Sequence, residues 1–127
     1  MERLQPPELS VQQGVYVVRL NEQFSHLYEN MLERLQIITG LAESAVPPRV
    51  VVDMQHVQFV GSALLGFLMT AHRRLAERDA GRFGICGLNT FCRTALGVAK
   101  LNEILELFDT VDQAVQSLTA DTNGDTT

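Results

Sequence analysis

The sequence predicts a single α/β domain built on a mostly parallel sheet. The chain has 127 residues, which is the length of one domain. Its hydrophobic pattern switches repeatedly between short β-branched runs and the 3.6-residue spacing of helices. The run from Arg49 to Met54 is apolar on both faces, as strands in the middle of a parallel sheet are. Strands that alternate with helices along a chain form such sheets.

The first half of the chain contains two predicted strands and one predicted helix. Residues 14–20 (GVYVVRL) are short, β-branched and begin at a glycine, which predicts a strand. A helix follows and is expected to end near Gly40. Its apolar residues recur at helical spacing: Phe24, Leu27, Tyr28, Met31, Leu35 and Ile38. The proline pair at 47–48 then breaks the chain before the second strand.

The second half continues the alternation of helices and strands. A helix is predicted over residues 62–79, and strands over residues 83–88 and 103–108. The spacing in residues 62–79 predicts a buried stripe of Leu65, Leu68, Met69, His72, Leu75 and Ala76.

Two more helices follow the last strands. Asn89 or Thr90 caps a helix that runs to about residue 100. Thr110 and Gln113 form a capping box for the final helix. The buried stripe of that helix is predicted to be Val111, Ala114, Val115 and Leu118.

Composition excludes several classes of protein. With 46% hydrophobic and 20% charged residues the chain is expected to fold. Its net charge of -5 gives no general attraction to nucleic acid or anionic membranes. No apolar segment predicts a signal peptide or a membrane span. Cys86 and Cys92 match neither a metal nor a redox spacing. We therefore expect a cytoplasmic protein without metal or cofactor.

The most informative segment is Val50 to Gly66, in which a buried strand leads through a short loop to Ser62 at a helix N-terminus. Serine is a preferred N-cap there, which is a purely structural role. The same position also suits a phosphate, because the first amides of a helix point outward and its dipole favours a negative group. Both interpretations stay open on local physics alone. No catalytic residues are predicted, since nothing resembles a nucleophile elbow.

The order of elements and the run VVVDMQHVQFVGSALLGFLMTAHRRL resemble the STAS domain, the fold of bacterial anti-sigma factor antagonists. The run GVAKLNEILELFDTVDQAV resembles the closing segment of that family. The resemblance extends over residues 14–118 and implies a small mixed sheet with helices packed mainly on one side. It assigns 1–13 to an N-terminal lead-in, 14–118 to the domain and 119–127 to a flexible acidic tail.

The resemblance also implies a function. The phosphoacceptor serine of the family corresponds to Ser62, so the chain is expected to bind an anti-sigma factor serine kinase until Ser62 is phosphorylated. The family motif D-S-S/T-G-L-G is only partly kept, because Gly61 replaces the aspartate, Ala63 the second hydroxyl residue and Leu64 the first glycine. The alternative is a non-phosphorylated interaction subunit of a stressosome-like or transporter-associated assembly. A homodimer stays open.

Two further sets of residues surround Ser62. Asp53, at the end of the buried strand, is expected to accept hydrogen bonds from backbone amides of the following loop. Leu64, Phe67 and Ala71 lie on a row of the helix beside the predicted core stripe. This row is expected either to pack on a neighbouring helix or to bind the protein partner.

Overall fold

The computed structural model describes residues 5–25 and 32–124, with a five-stranded sheet and four α-helices. The strands are β1 (Glu8–Gln12), β2 (Val15–Arg19), β3 (Arg49–Asp53), β4 (Arg82–Cys86) and β5 (Glu106–Phe108). The helices are α1 (Leu32–Ser44), α2 (Ser62–Ala76), α3 (Thr90–Val98) and α4 (Val111–Gly124). Short 3-10 helices cover Glu22–Ser25 and Leu101–Glu103.

The strands lie in the order β1-β2-β3-β4-β5. β1 pairs antiparallel with β2, and every other pair is parallel. The sheet is therefore small and mixed, which confirms the predicted fold class. The parallel crossovers bring the carboxyl ends of β2 to β5 to one edge of the sheet, and α2, α3 and α4 all start from that edge.

Most of the core lies on one face of the sheet, where alternate residues of the strands meet α1, α2 and α3. Leu35 and Ile38 of α1, Leu68 of α2 and Leu96 of α3 are fully buried there together with Val52 of β3. Three of the four helices thus pack on the same side, as predicted.

The other face of the sheet carries a smaller cluster under α4. Its buried members are Val15, Val17, Val51, Cys86, Ala114, Val115 and Leu118. Gly84 allows the close approach on this face, because a Cβ atom there would lie 2.9 Å from the ring of Phe108. The predicted cap starts α4 in a modified form: the Gln113 amide donates to Thr110 Oγ1 at 3.1 Å, whereas Gln113 Oε1 accepts at 3.2 Å from the amide of Asp109, one residue before the cap.

Several boundaries differ from the predictions, among them the end of α2, which lies at Ala76 and not at residue 79. β1 lies inside the segment predicted as a lead-in, and the hairpin to β2 turns through Gln13 and Gly14, both at positive φ. α1 continues four residues beyond Gly40, which lies on an exposed helix surface where a Cβ atom would meet nothing within 4 Å. β5 is three residues shorter than predicted, since a 3-10 turn precedes it. α4 extends to Gly124, into the predicted tail.

Part of one prediction lies outside the described residues: Leu27, Tyr28 and Met31 of the first predicted helix. Within residues 5–25 and 32–124, no helix is both long enough and apolar enough to cross a membrane.

Candidate functional site

The candidate site is the connection from β3 to α2, at the carboxyl edge of the sheet. All five residues of β3 are buried, and the strand ends at Asp53. The Met54 amide still donates a hydrogen bond to the Cys86 carbonyl at 2.8 Å, so pairing with β4 continues one residue beyond the end of β3. The side chains of Val57 and Val60 are buried and anchor the connection to the main core. The backbone thus reaches Ser62 along a path determined by packing.

Asp53 holds the start of this connection. Its carboxylate is 2% exposed, accepts from Arg19 Nε at 2.9 Å, and accepts from the Gln55 amide at 3.0 Å. The contact to Gln55 is a backbone hydrogen bond of the kind that the sequence predicts for Asp53. Gly87, at φ +76°, leaves room for it, because a Cβ atom there would lie 3.0 Å from both Asp53 Oδ1 and the Gln55 nitrogen.

The same carboxylate influences its neighbours. Burial, followed by the negative charge of Asp53, raises the pKa of the Cys86 thiol to about 12. The hydrogen bond with Asp53 raises the pKa of Arg19 above its usual value. Cys86 is therefore a neutral, buried thiol, and the ion pair of Arg19 with Asp53 is a structural support below the site.

The middle of the connection is fixed by a pair of side chains that sequence reasoning missed. The Gln58 amide donates to Ser25 Oγ at 2.7 Å, and the Gln58 carbonyl accepts from Asn89 Nδ2 at 3.1 Å. Asn89 also caps α3, since its Oδ1 accepts from the Cys92 amide at 2.7 Å. Only its role as a cap is visible in the sequence, because the contact with Gln58 joins residues 31 positions apart.

Two exposed phenylalanines lie next to each other, Phe59 on the β3–α2 connection and Phe91 in the first turn of α3. Phe59 is 40% exposed and Phe91 is 59% exposed. Their rings meet edge to face, with centroids 5.4 Å apart. Sequence reasoning missed both; the available signal was that Phe59 is a large apolar residue outside every periodic segment. Aromatic side chains of this kind are frequent anchors in protein interfaces.

Ser62 is the first residue of α2, and Gly61 is its N-cap. The N-cap interpretation of Ser62 is therefore wrong by one position. Gly61 supplies no side-chain cap, and the Ser62 side chain is exposed and makes no hydrogen bond with another described residue. The first turn of α2 contains no acidic residue. Within the described part of the chain, no side chain accepts a hydrogen bond from the outward amides of this turn, and the hydroxyl is accessible.

The predicted partner-binding row is wrong for two of its three members. Leu64 and Ala71 are fully buried in the main core, together with Leu68 and Leu75. Phe67 is half-buried against that core. The predicted core stripe is therefore rotated: Leu65, Met69 and His72 are only partly buried, and Ala76 is exposed. Because residues 63–69 are all apolar or glycine, their periodicity does not specify which side of α2 faces the core.

The exposed side of α2 forms a groove with α1. The groove has a volume of about 720 Å³ and contains the small residues Gly40, Ala63 and Gly66. Phe67 lines its wall. A Cβ atom at Gly40 or at Gly66 would meet nothing within 4 Å, so the two helices are open toward solvent there.

A second pocket, of about 420 Å³, lies where α4 starts. Four of its charged side chains form two ion pairs, Arg19 with Asp53 and Arg93 with Asp109 at 2.6 Å, and Asp112 is the fifth charged residue of the lining. Among the described residues, no group of three His, Cys, Asp or Glu side chains is placed to hold a metal ion.

Comparison with known families decides what this arrangement is. A family model of the STAS domain matches residues 6–114, which include all five strands and the start of α4. The chain belongs to the STAS-domain family. The resemblance drawn from the residues is thereby confirmed, and the STAS domain begins before residue 14 because it includes β1.

Solved structures of STAS proteins share this fold at low sequence identity. The chain is 22% identical to an anti-sigma-factor antagonist (STAS) domain protein from Planctomyces limnophilus, with a TM-score of 0.81 over 91% of this chain and 99% of that one. It is 20% identical to the anti-sigma factor antagonist SpoIIAA in its unphosphorylated form (TM-score 0.71, 90% and 96% covered). A chain of the stressosome is 19% identical (TM-score 0.63, 91% and 98% covered). No curated protein matches the sequence.

Proposed function

We propose that this STAS domain is a cytoplasmic regulator that binds an anti-sigma factor serine kinase and is switched off by phosphorylation of Ser62. While bound, it would keep the kinase from its sigma factor. The chain itself carries out no chemistry, since ATP and the phosphoryl transfer belong to the kinase. The observation that carries the proposal is the exposed hydroxyl of Ser62, which makes no hydrogen bond with a described residue and lies at a helix N-terminus whose N-cap, Gly61, supplies no side-chain cap.

The docking surface that we propose differs from the row predicted by the sequence. Leu64 and Ala71 are unavailable because they are buried. We assign docking to exposed residues at the start of α2 and to the ring pair on the preceding connection and α3, and call them the Ser62 surface: Phe59, Gly61, Ser62, Ala63 and Phe91. The Phe59–Phe91 ring pair would supply the apolar contact with the kinase.

Phosphorylation would act on binding through charge. A phosphate adds about -1.5 to -2 charge at pH 7. The first turn of α2 can accept it, because the dipole and free amides favour an anion and no carboxylate opposes it. In a complex the same charge would be pressed against an apolar surface, where its desolvation is costly. Binding, and not folding, is therefore the property expected to change.

Incubation with a cognate anti-sigma factor kinase and ATP tests the switch. Intact-mass spectrometry should show one added phosphate on the wild type and none on Ser62→Ala. Ser62→Asp should weaken binding to the kinase, whereas Ser62→Ala should keep it. Gly61→Asp restores the carboxylate of the family motif and should raise the phosphorylation rate, since a Cβ atom at Gly61 meets nothing within 4 Å.

A matched pair of substitutions tests the docking surface. Phe59→Ala together with Phe91→Ala should weaken kinase binding. Val98→Ala removes an exposed apolar side chain from the other end of α3, where Val98 is 81% exposed, and should leave binding unchanged. Equal losses in the two variants would contradict the placement of the docking surface at Ser62.

The second candidate is a binding subunit without the switch. Gly61 and Ala63 favour it, because both replace residues of the family's phosphoacceptor motif. A stressosome-like assembly would use such a subunit. The phosphorylation experiment distinguishes the two. If wild type and Gly61→Asp both bind the kinase and both remain unmodified, the chain is a binding module, and Ser62 has no acceptor role.

A further inference from the structure

The two outer strands of the sheet, β1 and β5, differ in how they are protected against pairing with another chain. β5 is three residues long, and its first residue, Glu106, is paired with Arg82. β1 is five residues long and contains neither proline nor lysine; its one charged residue is Glu8 at the first position, 3.8 Å from Arg19 Nη1. Monomeric proteins usually shorten an edge strand or place such residues in it to prevent pairing with another chain. Among the described strands, β1 is therefore the one whose outer edge is open to a further strand.

β1 also carries exposed apolar side chains. Leu9 is 47% exposed and Val11 is 58% exposed. They lie opposite Val18 and Tyr16 of β2, so both are on the face that carries the main core. On the opposite face, β1 presents the polar side chains of Glu8, Ser10 and Gln12. The edge is thus amphipathic, with its apolar side next to the core.

We propose that β1 pairs antiparallel with β1 of a second copy of this chain, about a two-fold axis at Ser10, to form a continuous ten-stranded sheet. In this register, Leu9 lies opposite Val11 of the second copy, and Val11 lies opposite its Leu9. Glu8 lies opposite Gln12, and the two Ser10 residues face each other.

The sequence of β1 supports a copy of itself as the occupant. ELSVQ alternates polar and apolar residues symmetrically about Ser10, so pairing brings apolar onto apolar and polar onto polar residues along the whole strand. Like charges never oppose each other, and the carboxylate of Glu8 meets an amide. A shift by one residue would place Leu9 and Val11 opposite polar residues and turn the second copy over. A shift by two residues would keep apolar opposite apolar residues but would pair only three residues of each strand. The open edge, the exposed apolar pair and full pairing of the strand therefore favour the register centred on Ser10.

The interface would be small. Five residues span about 17 Å of strand, so the dimer is expected to be weak and concentration-dependent. β1 is separated from β3 by β2, and the proposal neither requires nor blocks phosphorylation of Ser62. The test of the dimer is therefore independent of the test of the proposed function.

Cross-linking tests the register. Ser10→Cys places two thiols opposite each other across the axis, whereas both native cysteines are buried. Mild oxidation should join this variant into a covalent dimer on a non-reducing gel. Glu8→Cys is the matched control, because the two introduced thiols would lie about 14 Å apart, four residues out of register. Cross-linking of Glu8→Cys at the same rate as Ser10→Cys would overturn the proposal.

A reversal of charge tests the contacts. Leu9→Lys with Val11→Lys opposes like charges twice and should raise the dimer dissociation constant at least about tenfold in sedimentation experiments. Leu9→Lys with Val11→Glu opposes unlike charges twice and should restore dimerisation. Both positions are exposed, so the Tm values of the two variants should agree and show that each is folded. Equal dissociation constants in the two variants, or a wild type that stays monomeric at concentrations on the order of 1 mM, would refute the dimer.

Discussion

The helices α2 and α3 start in corresponding places but have different N-caps. Each helix follows a buried parallel strand, β3 or β4, at the same edge of the sheet. At α3, the Asn89 side chain accepts a hydrogen bond from the Cys92 amide. At α2, the N-cap is Gly61, which has no side chain to accept one, and the following Ser62 points its hydroxyl at no described residue.

This difference indicates that the N-terminus of α3, with its side-chain cap, is the purely structural one of the two. A side-chain cap satisfies amides that would otherwise need water or a ligand, and it contributes about 1 kcal/mol to stability. α3 uses this contribution, and its cap also fixes the connection that leads to α2. The N-cap of α2, Gly61, provides no such side-chain hydrogen bond, and the amides of its first turn stay accessible. Four predictions test this contrast.

The largest expected difference is in thiol reactivity. In a Ser62→Cys variant, the new thiol is exposed at a helix N-terminus, which lowers the pKa of a cysteine. Burial raises the pKa of both Cys86 and Cys92, although Cys92 lies in the first turn of α3. At pH 7.5, the new thiol should react with iodoacetamide more than about a hundred times faster than the native pair. Labelling followed by peptide mass spectrometry measures the rates. Comparable rates would show that the start of α2 is closed.

The next effect is on stability at the capped end. Asn89→Ala removes the cap of α3 and the hydrogen bond to Gln58. We expect the free energy of unfolding to fall by about 1–2 kcal/mol, with a Tm lower by roughly 5 °C. Thermal unfolding followed by circular dichroism measures it.

The control for this variant separates the two hydrogen bonds of Asn89. Asn89→Asp keeps an oxygen for the Cys92 amide but has no donor for the Gln58 carbonyl. Its loss should therefore be smaller than that of Asn89→Ala. If Asn89→Ala leaves the Tm unchanged, the cap is not a source of stability, and the contrast with α2 disappears.

A smaller gain is expected at the uncapped end. Gly61→Asp introduces a cap where the backbone is already extended (φ -97°, ψ 176°), a conformation that aspartate adopts without strain. The carboxylate can accept from the open amides and interacts favourably with the helix dipole. The free energy of unfolding should rise by about 0.3–1 kcal/mol, as measured by denaturation in urea. A decrease would mean that the first turn has no free amides.

The smallest effect is expected for Ser62→Ala. The hydroxyl makes no hydrogen bond with a described residue, so its removal should change the free energy of unfolding by less than about 0.5 kcal/mol. The same urea experiment applies. A loss of 1 kcal/mol or more would identify Ser62 as a structural cap after all.

Much of the fold could be predicted because its signals are local. The buried β3 strand, the Thr110 cap of α4 and the cap at Asn89 each depend on residues close together in the chain. β1 was also predictable, since ELSVQ alternates strictly between polar and apolar residues. The hairpin was harder to predict, because the turn after β1 has Gln13 at positive φ, where asparagine, aspartate or glycine is usual.

The candidate site was predictable only in part. The position of Ser62 follows from the family motif, but the partner row does not, because an entirely apolar stretch leaves the rotation of α2 unspecified. Leu64 is buried through contacts that the tertiary structure alone determines. The Ser25–Gln58 and Asn89–Gln58 bonds join residues 33 and 31 positions apart, beyond any spacing rule for a single segment.

The fixation of Gln58 has a consequence for the thermodynamics of association. Both polar groups of its peptide backbone are held by side chains from other segments, although the residue itself is exposed. A molecule that docks on this connection meets a backbone that is already ordered. It therefore avoids the loss of conformational entropy that a flexible loop would undergo on binding. The hydrogen on the Gln58 nitrogen provides a direct reading of that order, because its exchange with deuterated solvent requires the bond to Ser25 to open.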